Sequence, residues 1–233
     1  MRKALLFIFL VQVGVIGSQR AFSKEKPRRE NIEWTDIRVN GANQDDLPRV
    51  LLVGDSITIG YFAAVNKALA GKADCARFAN SLFMGNPDYL DELKIVLRSY
   101  RFSVIHINNG LHGWDYTEEQ YRKSLPKLME TLKKYGQGAV VVWATTTPRR
   151  SDENPLLLAS DTDRVKERNR IAVEYMTQHG IAVDDLYSLV AEHPEFYRDD
   201  HIHFNDQGQA VEGKQVSEIV MRGLMSRTAA DRR

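Results

Sequence analysis

Apolar residues occur in five short runs that alternate with longer segments of mixed character. Within each run the apolar positions are largely consecutive, which is typical of strands covered by helices on both faces. We therefore predict five strands, at residues 49–54, 75–80, 103–108, 139–146 and 181–186.

The segments between these runs have the spacing and end signals of helices. Pro87 occupies a favoured first-turn position, and Thr117 begins a capping box with Gln120. The pattern predicts helices at residues 58–70, 87–101, 117–135, 161–179 and 206–226.

Regular alternation of strands and helices predicts an α/β fold, a three-layer α/β/α sandwich around a five-stranded parallel sheet. Ligand sites in such sheets lie beyond the carboxyl ends of the strands. Residues that carry chemistry should therefore follow the strands directly.

The chain begins with Arg2, Lys3 and an apolar run over residues 4–17. This order is typical of a secretory signal peptide, so we expect residues 1–23 to be a signal peptide and the protein to be exported, periplasmic or secreted, with no stable membrane span after processing. Residues 24–47 are expected to be a polar linker or wrapping segment, which Trp34 and Ile37 would attach to the domain. The domain itself is predicted over 48–226, with a polar tail at 227–233.

Composition excludes some classes of function. The formal net charge is +1 with 27% charged residues of both signs, so a large basic surface for nucleic acid is not expected. Cys75 is the only cysteine, which excludes an internal disulfide, and its apolar surroundings predict a buried thiol.

The first predicted strand ends at Gly54-Asp55-Ser56. A serine at the start of a helix lies where N–H groups favour developing negative charge, so Ser56 is a candidate nucleophile. The alternative is that Asp55 or Ser56 only caps the helix.

The segment after the fifth predicted strand contains Asp200 and His203. Their spacing of three places both side chains together in a helical turn, where a carboxylate orients an imidazole that accepts a proton from Ser56. A metal site built from His201, His203, Asp199 and Asp200 is the competing interpretation.

Small and amide residues follow the second and third predicted strands. Asn80 and Gly85 follow the second, and a set of donors follows the third: Asn108, Asn109, Gly110 and His112. Each group alone is an ordinary turn, but together with Ser56 and His203 they follow four strands, which favours one site at one edge.

These blocks resemble the SGNH (GDSL-type) hydrolases, a superfamily of esterases and lipases, over roughly residues 48–226. The resemblance rests on Gly54-Asp55-Ser56, Asn80, Gly85, the loop after the third strand and Asp200-x-x-His203. It implies a flavodoxin-like fold and a serine esterase with Ser56 as nucleophile, His203 as base and Asp200 as its partner. It also implies an oxyanion hole formed by the N–H groups of Ser56 and Gly85 and an asparagine side chain, and no cofactor or metal.

The third block departs from the family pattern Gly-x-Asn-Asp. Matching Gly110 to its glycine places His112 at the asparagine position and Gly113 at the aspartate position. We therefore expect His112 to be the third donor, as a neutral ring that donates through an N–H, with Asn109 as the alternative.

The motifs specify acyl transfer to water and leave the ester open. Polar loops beside the site favour a small acyl ester, an acetyl group on a carbohydrate, with Asp55, Trp114 and Arg149 contacting the substrate. The alternatives are a lipase or lysophospholipase acting on longer chains, and a catalytically silent glycan-binding module.

Overall fold

The structure, a computed structural model, describes residues 28–231, with side chains described as far as residue 227. The predicted signal peptide lies outside the described residues. In chain order the elements are β1 (Thr35–Val39), β2 (Arg49–Gly54), α1 (Ser56–Ala68), β3 (Asp74–Asn80), α2 (Pro87–Ser99), β4 (Val104–Ile107), α3 (Glu118–Tyr135), β5 (Val140–Ala144), α4 (Thr162–Gln178), β6 (Ala182–Asp184), α5 (Leu186–Ala191) and α6 (Asp206–Asp231).

One six-stranded sheet runs in the order β1-β3-β2-β4-β5-β6. The five predicted strands are confirmed and are all parallel, with Val53 of β2 beside Phe78 of β3 and Ile107 of β4. Their order, second-first-third-fourth-fifth, is that of flavodoxin, in which the ligand site lies between the first and third strands. Here that position is the gap beyond the ends of β2 and β4.

The sheet separates two apolar cores. Val50 and Leu52 of β2 face α1 and α6, whereas Leu51 and Val53 face α2 and α3. All four are fully buried, as expected for a strand that is covered by helices on both faces. Cys75 belongs to the first of these cores, and burial together with Asp74 raises the pKa of its thiol to about 12. The predicted buried thiol is confirmed.

The segment expected to be a linker contains a sixth strand. β1 pairs antiparallel with β3, with Thr35 opposite Asn80 and Val39 opposite Ala76. The prediction missed it because an edge strand is covered on one side only, so TDIRV lacks a continuous apolar run and Ile37 is half exposed.

The last helix is longer than predicted. α6 continues to Asp231, so most of the predicted polar tail at 227–233 is helical. Among the helices between residues 28 and 231, none combines the length and apolar character needed to cross a bilayer.

Candidate active site

The turn from β2 into α1 assigns separate tasks to Asp55 and Ser56. Asp55 is buried and caps α1, since its Oδ1 accepts the N–H of Ile57 at 2.9 Å. A Cβ on Gly54 would lie 2.2 Å from Oγ1 of Thr58, so only glycine allows the helix to begin so close to the strand. The Ser56 hydroxyl takes no part in the cap.

Ser56, His203 and Asp200 form one hydrogen-bonded chain. Ser56 Oγ lies 2.7 Å from Nε2 of His203, and Nδ1 of the same ring lies 2.8 Å from Oδ2 of Asp200. The serine is 147 residues away from the histidine along the chain, so the sheet brings together what the sequence separates. A carboxylate, an imidazole and a hydroxyl in this order can activate the hydroxyl as a nucleophile.

Asp200 and His203 meet in a tight turn and not in the helical turn that the spacing predicted. Oδ1 of Asp200 accepts the N–H groups of Ile202 and His203 at 3.0 and 2.8 Å, and His201 has a positive φ of 61°. Partial burial alone would raise the pKa of Asp200, but these two N–H groups and the His203 ring lower it to about 2. The carboxylate is therefore charged at every working pH.

The loop after β3 offers a free backbone donor. Within residues 28–231, the N–H groups of Ser56 and Gly85 have no hydrogen-bond partner. A Cβ on Gly85 would lie 2.3 Å from Oγ of Ser124 and 2.4 Å from the Phe83 ring, so a larger residue would displace the loop.

Asn109 holds this loop in place. Its Oδ1 accepts the Met84 N–H at 3.1 Å, and its Nδ2 donates to the Leu82 carbonyl at 2.9 Å. The Asn108 amide is also engaged, because it donates to the Ala144 carbonyl and to Thr146. Both buried amides thus stabilise the loops around the site through hydrogen bonds.

His112 lies in the next loop and is bound by a residue that sequence reasoning missed. Its Nδ1 is 2.9 Å from Oε2 of Glu30, and the Trp34 ring contacts it edge-on at 6.4 Å between centroids. Burial alone would lower the pKa of His112, but hydrogen bonding to Glu30 and the negative charges of Asp55 and Glu30 raise it.

A pocket of about 400 Å³ opens beside Ser56 and His203. The rest of its lining is Ile57, Ile59, Gly60, Arg198, Phe204 and Gln209. Sequence reasoning had not placed Arg198 or Gln209 at the site, although Arg198 stands only two residues before Asp200. Within the described chain, no ion pair or hydrogen bond is found for the Arg198 guanidinium.

The three residues expected to contact substrate are each engaged by other groups of the protein. Asp55 is the buried helix cap, and Arg149 pairs with Asp161 in the loop before α4. Trp114 packs beneath the guanidinium groups of Arg164 and Arg168, each 5.2 Å from its ring centroid. None of the three lines the pocket at Ser56.

The two histidines of the alternative metal site have separate partners. His201 Nδ1 lies 3.1 Å from Asp152, whereas His203 bonds to Asp200 and Ser56. No group of three or more histidine, cysteine or acidic residues is arranged to hold a metal ion within the part of the chain that the structure describes.

Known structures share this architecture. The chain is similar to a GDSL-like lipase from Bacteroides thetaiotaomicron, with 15% identity, a TM-score of 0.59, and coverage of 76% of this chain and 89% of that one. The same comparison with the lipase/acylhydrolase from Enterococcus faecalis gives 21% identity, a TM-score of 0.59 and coverage of 74% and 95%. The fold is that of the SGNH hydrolases.

The chain is also similar to the C-terminal catalytic domain of a peptidoglycan O-acetyltransferase from Streptococcus pneumoniae. It is 15% identical, with a TM-score of 0.55 and coverage of 76% of this chain and 94% of that domain. No protein-family model matches the sequence, and no curated protein matches it significantly. The similarity therefore establishes the fold, and the reaction has to be argued from the residues of this chain.

Proposed function

We propose that this protein is a serine esterase that hydrolyses a small acyl ester, an acetyl group on a carbohydrate, with Ser56 as the nucleophile. The observation that carries the proposal is the 2.7 Å contact between Ser56 Oγ and His203 Nε2, in line with the 2.8 Å contact to Asp200. The SGNH fold of the relatives, which include a GDSL-like lipase and an acylhydrolase, supports the same class of reaction.

In the first half-reaction, Ser56 Oγ attacks the ester carbonyl as its proton passes to Nε2 of His203. The ionised Asp200 keeps the hydrogen on Nδ1 and stabilises the imidazolium that forms. The imidazolium then protonates the leaving alcohol, and the acyl group remains on Ser56. A water molecule, activated by the same nitrogen, releases the acid and restores the serine.

The developing oxyanion would be bound by the free N–H groups of Ser56 and Gly85. His112 is our third donor, since the Asn109 amide is already bonded to the loop after β3 at both ends. The Asn109 hydrogen bonds thus help to present Gly85.

The pocket supports a small and polar substrate. About 400 Å³ is near the lower end of the range for ligand sites, which favours a short acyl chain. Arg198 and Gln209 at its wall supply donors for hydroxyl or carboxylate groups of a sugar. A peptidoglycan O-acetyltransferase domain among the structural relatives supports acetyl as the transferred group.

Hydrolysis of p-nitrophenyl esters from acetate to laurate by the wild type and Ser56→Ala tests this function. We expect kcat/KM to be highest for acetate and turnover to fall by at least about a thousandfold in Ser56→Ala. Acetate release from acetylated polysaccharides, measured beside it, tests the carbohydrate. A preference for laurate would contradict the small acyl group, and equal turnover by the variant would contradict the nucleophile.

A further inference from the structure

Glu30 holds the His112 loop through both of its carboxylate oxygens. Oε2 lies 2.9 Å from Nδ1 of His112, and Oε1 accepts the N–H of Gly113 at 2.9 Å. A paired contact of this kind fixes both the ring and the backbone beside it. Glu30 is 82 residues away from His112 in the chain, so no local pattern indicates the contact.

The hydrogen bond to Glu30 determines which hydrogens the ring carries. An ionised carboxylate only accepts, and burial, which alone would raise the pKa of Glu30, is outweighed by the His112 ring and the Gly113 N–H, which lower it. Nδ1 therefore carries a hydrogen. A neutral ring would then present a lone pair at Nε2, which repels an oxyanion. The neutral donor expected from the sequence is therefore replaced by an imidazolium, the only form of His112 that can donate from Nε2 here.

The surroundings of the ring favour that charged form. Glu30 and Asp55, the residue before Ser56, are the negative groups that act on it, and Trp34 contributes only an uncharged ring edge. Arg168 is the positive group on the opposite side, where it donates to the His112 and Gly110 carbonyls at 2.8 Å.

The loop of His112 also adjoins the loop of Gly85. A Cβ on Gly113 would lie 2.5 Å from Cβ of Phe83, two residues before Gly85. Glu30 thus acts at the junction of the two loops that would supply the oxyanion donors.

We propose that Glu30 is a positioning residue that keeps His112 as an imidazolium with a hydrogen on Nε2, so that the third oxyanion donor is a titrating cation. The inference rests on the proposed function of Ser56. It requires two histidines in opposite states, because His203 must be neutral to accept the serine proton while His112 must be charged. Activity should therefore fall on the alkaline side of its pH profile, where His112 loses its proton.

The pH dependence of kcat for p-nitrophenyl acetate tests this in the wild type, Glu30→Gln and His112→Asn. In Glu30→Gln we expect the alkaline limb to move down by about one pH unit and kcat at the wild-type optimum to fall about tenfold, with KM little changed. In His112→Asn the alkaline limb should disappear, because an amide N–H does not titrate. Adding Glu30→Gln to His112→Asn should then have no further effect on kcat.

Glu33→Gln is the matched control, because Glu33 lies on the same segment and pairs with Arg29. Its pH profile should be that of the wild type. NMR titration of the His112 ring in wild type and Glu30→Gln gives a readout that does not depend on turnover, and the ring pKa should be lower in the variant.

Three results would overturn the inference. They are an unchanged alkaline limb in Glu30→Gln, an equal loss of kcat on adding Glu30→Gln to His112→Asn, and a His112 pKa that does not move. If turnover depends on Ser56 while any of these is observed, only the role of Glu30 fails. If no turnover depends on Ser56, both the proposed function and this inference fail.

Discussion

Asp55 accepts the Ile57 N–H at 2.9 Å, while the Ser56 hydroxyl faces His203 at 2.7 Å. Helix capping and nucleophilic attack are thus divided between two adjacent residues, Asp55 for the cap and Ser56 for the attack. Because the cap is supplied by Asp55, the serine hydroxyl is available to the imidazole. The Gly54-Asp55-Ser56 motif can therefore cap the helix and supply a nucleophile at the same time.

At the same scale, Asp200→Asn tests the orienting carboxylate. An asparagine NH₂ would donate to Nδ1, so Nε2 would carry the hydrogen and could not accept the serine proton. We expect kcat for p-nitrophenyl acetate to fall by about 10⁴ with little change in KM. Asp199→Asn changes the neighbouring exposed carboxylate and should retain wild-type activity. An Asp200→Asn enzyme within tenfold of the wild type would contradict the assignment.

The lowered pKa of Asp200 also determines how the stability of the fold depends on pH. Because it is about 2 in the folded protein, below its ordinary value of 3.8, the ionised carboxylate stabilises the fold above pH 3.8. That contribution is lost as the pH falls from 3.8 through about 2.

Among the elements, β1 shows that the N-terminal segment is part of the domain. β1 and the residues before it attach to both loops of the site. The Trp34 N–H donates to the Ser81 hydroxyl, the Ser81 N–H donates to the Trp34 carbonyl, and Glu30 binds His112 and Gly113. The segment wraps around the domain. Because Glu30 lies just before β1, the pairing of β1 with β3 brings Glu30 to the site.

The ion pair between Asp36 of β1 and Arg77 of β3 tests how firmly this edge strand is held. Nε and Nη2 of Arg77 both donate to Oδ1 of Asp36, at 2.9 and 2.6 Å. Since Arg77 is buried while Asp36 is partly exposed, we expect Asp36→Ala to lower the free energy of unfolding by about 1–2 kcal/mol. Urea denaturation measures this, and faster amide exchange should be confined to β1.

Arg38→Ala, on the same strand but exposed, should change the unfolding free energy by less than about 0.5 kcal/mol. Equal losses for the two variants would mean that the Arg77 ion pair does not hold β1.

Across the whole molecule, the five parallel strands could be predicted because their burial on both faces leaves continuous apolar runs. The edge strand β1 and the six-residue helix α5 lack such a signal, because one is half exposed and the other is short. Ser56, Asp200 and His203 could be placed from motifs. Glu30 could not, because its contact with His112 arises only from the path of the chain.

Loop residues were the least predictable part of the site. Trp114 and Arg149 follow strands, as pocket residues should, but each is held by charged partners in its own surroundings. Position after a strand brings a residue to the correct edge of the sheet, whereas the direction of its side chain depends on packing that the sequence pattern does not encode.

Glu212 gives a prediction for the stability of the whole fold. It is fully buried on α6, and neither of its carboxylate oxygens has a hydrogen-bond partner within the described residues. Burial, with the charges of Asp55 and Asp184, raises its pKa well above the ordinary 4.5. The folded protein therefore keeps a proton that the unfolded chain loses, and stability falls as the pH rises above 4.5.

Glu212→Gln should remove this dependence. Above pH 4.5 the unfolding free energy of the wild type should fall relative to the variant as the pH rises, by at most about 1.4 kcal/mol per pH unit while the buried carboxyl keeps its proton. Urea denaturation at several pH values measures the slope, and Glu218→Gln, exposed on the same helix, should leave it unchanged. Parallel curves for wild type and Glu212→Gln would show that the carboxyl ionises in the folded state.

The central claim is that Ser56 is an activated nucleophile, and covalent labelling tests it most directly. Wild-type protein and Ser56→Ala are treated with a fluorophosphonate, and intact mass and peptide mapping locate any adduct. We predict a single adduct on Ser56 in the wild type, slower formation in Asp200→Asn, and none in Ser56→Ala. No adduct on the folded wild type, or equal labelling of Ser56→Ala, would contradict the account and favour a silent binding module on the same fold.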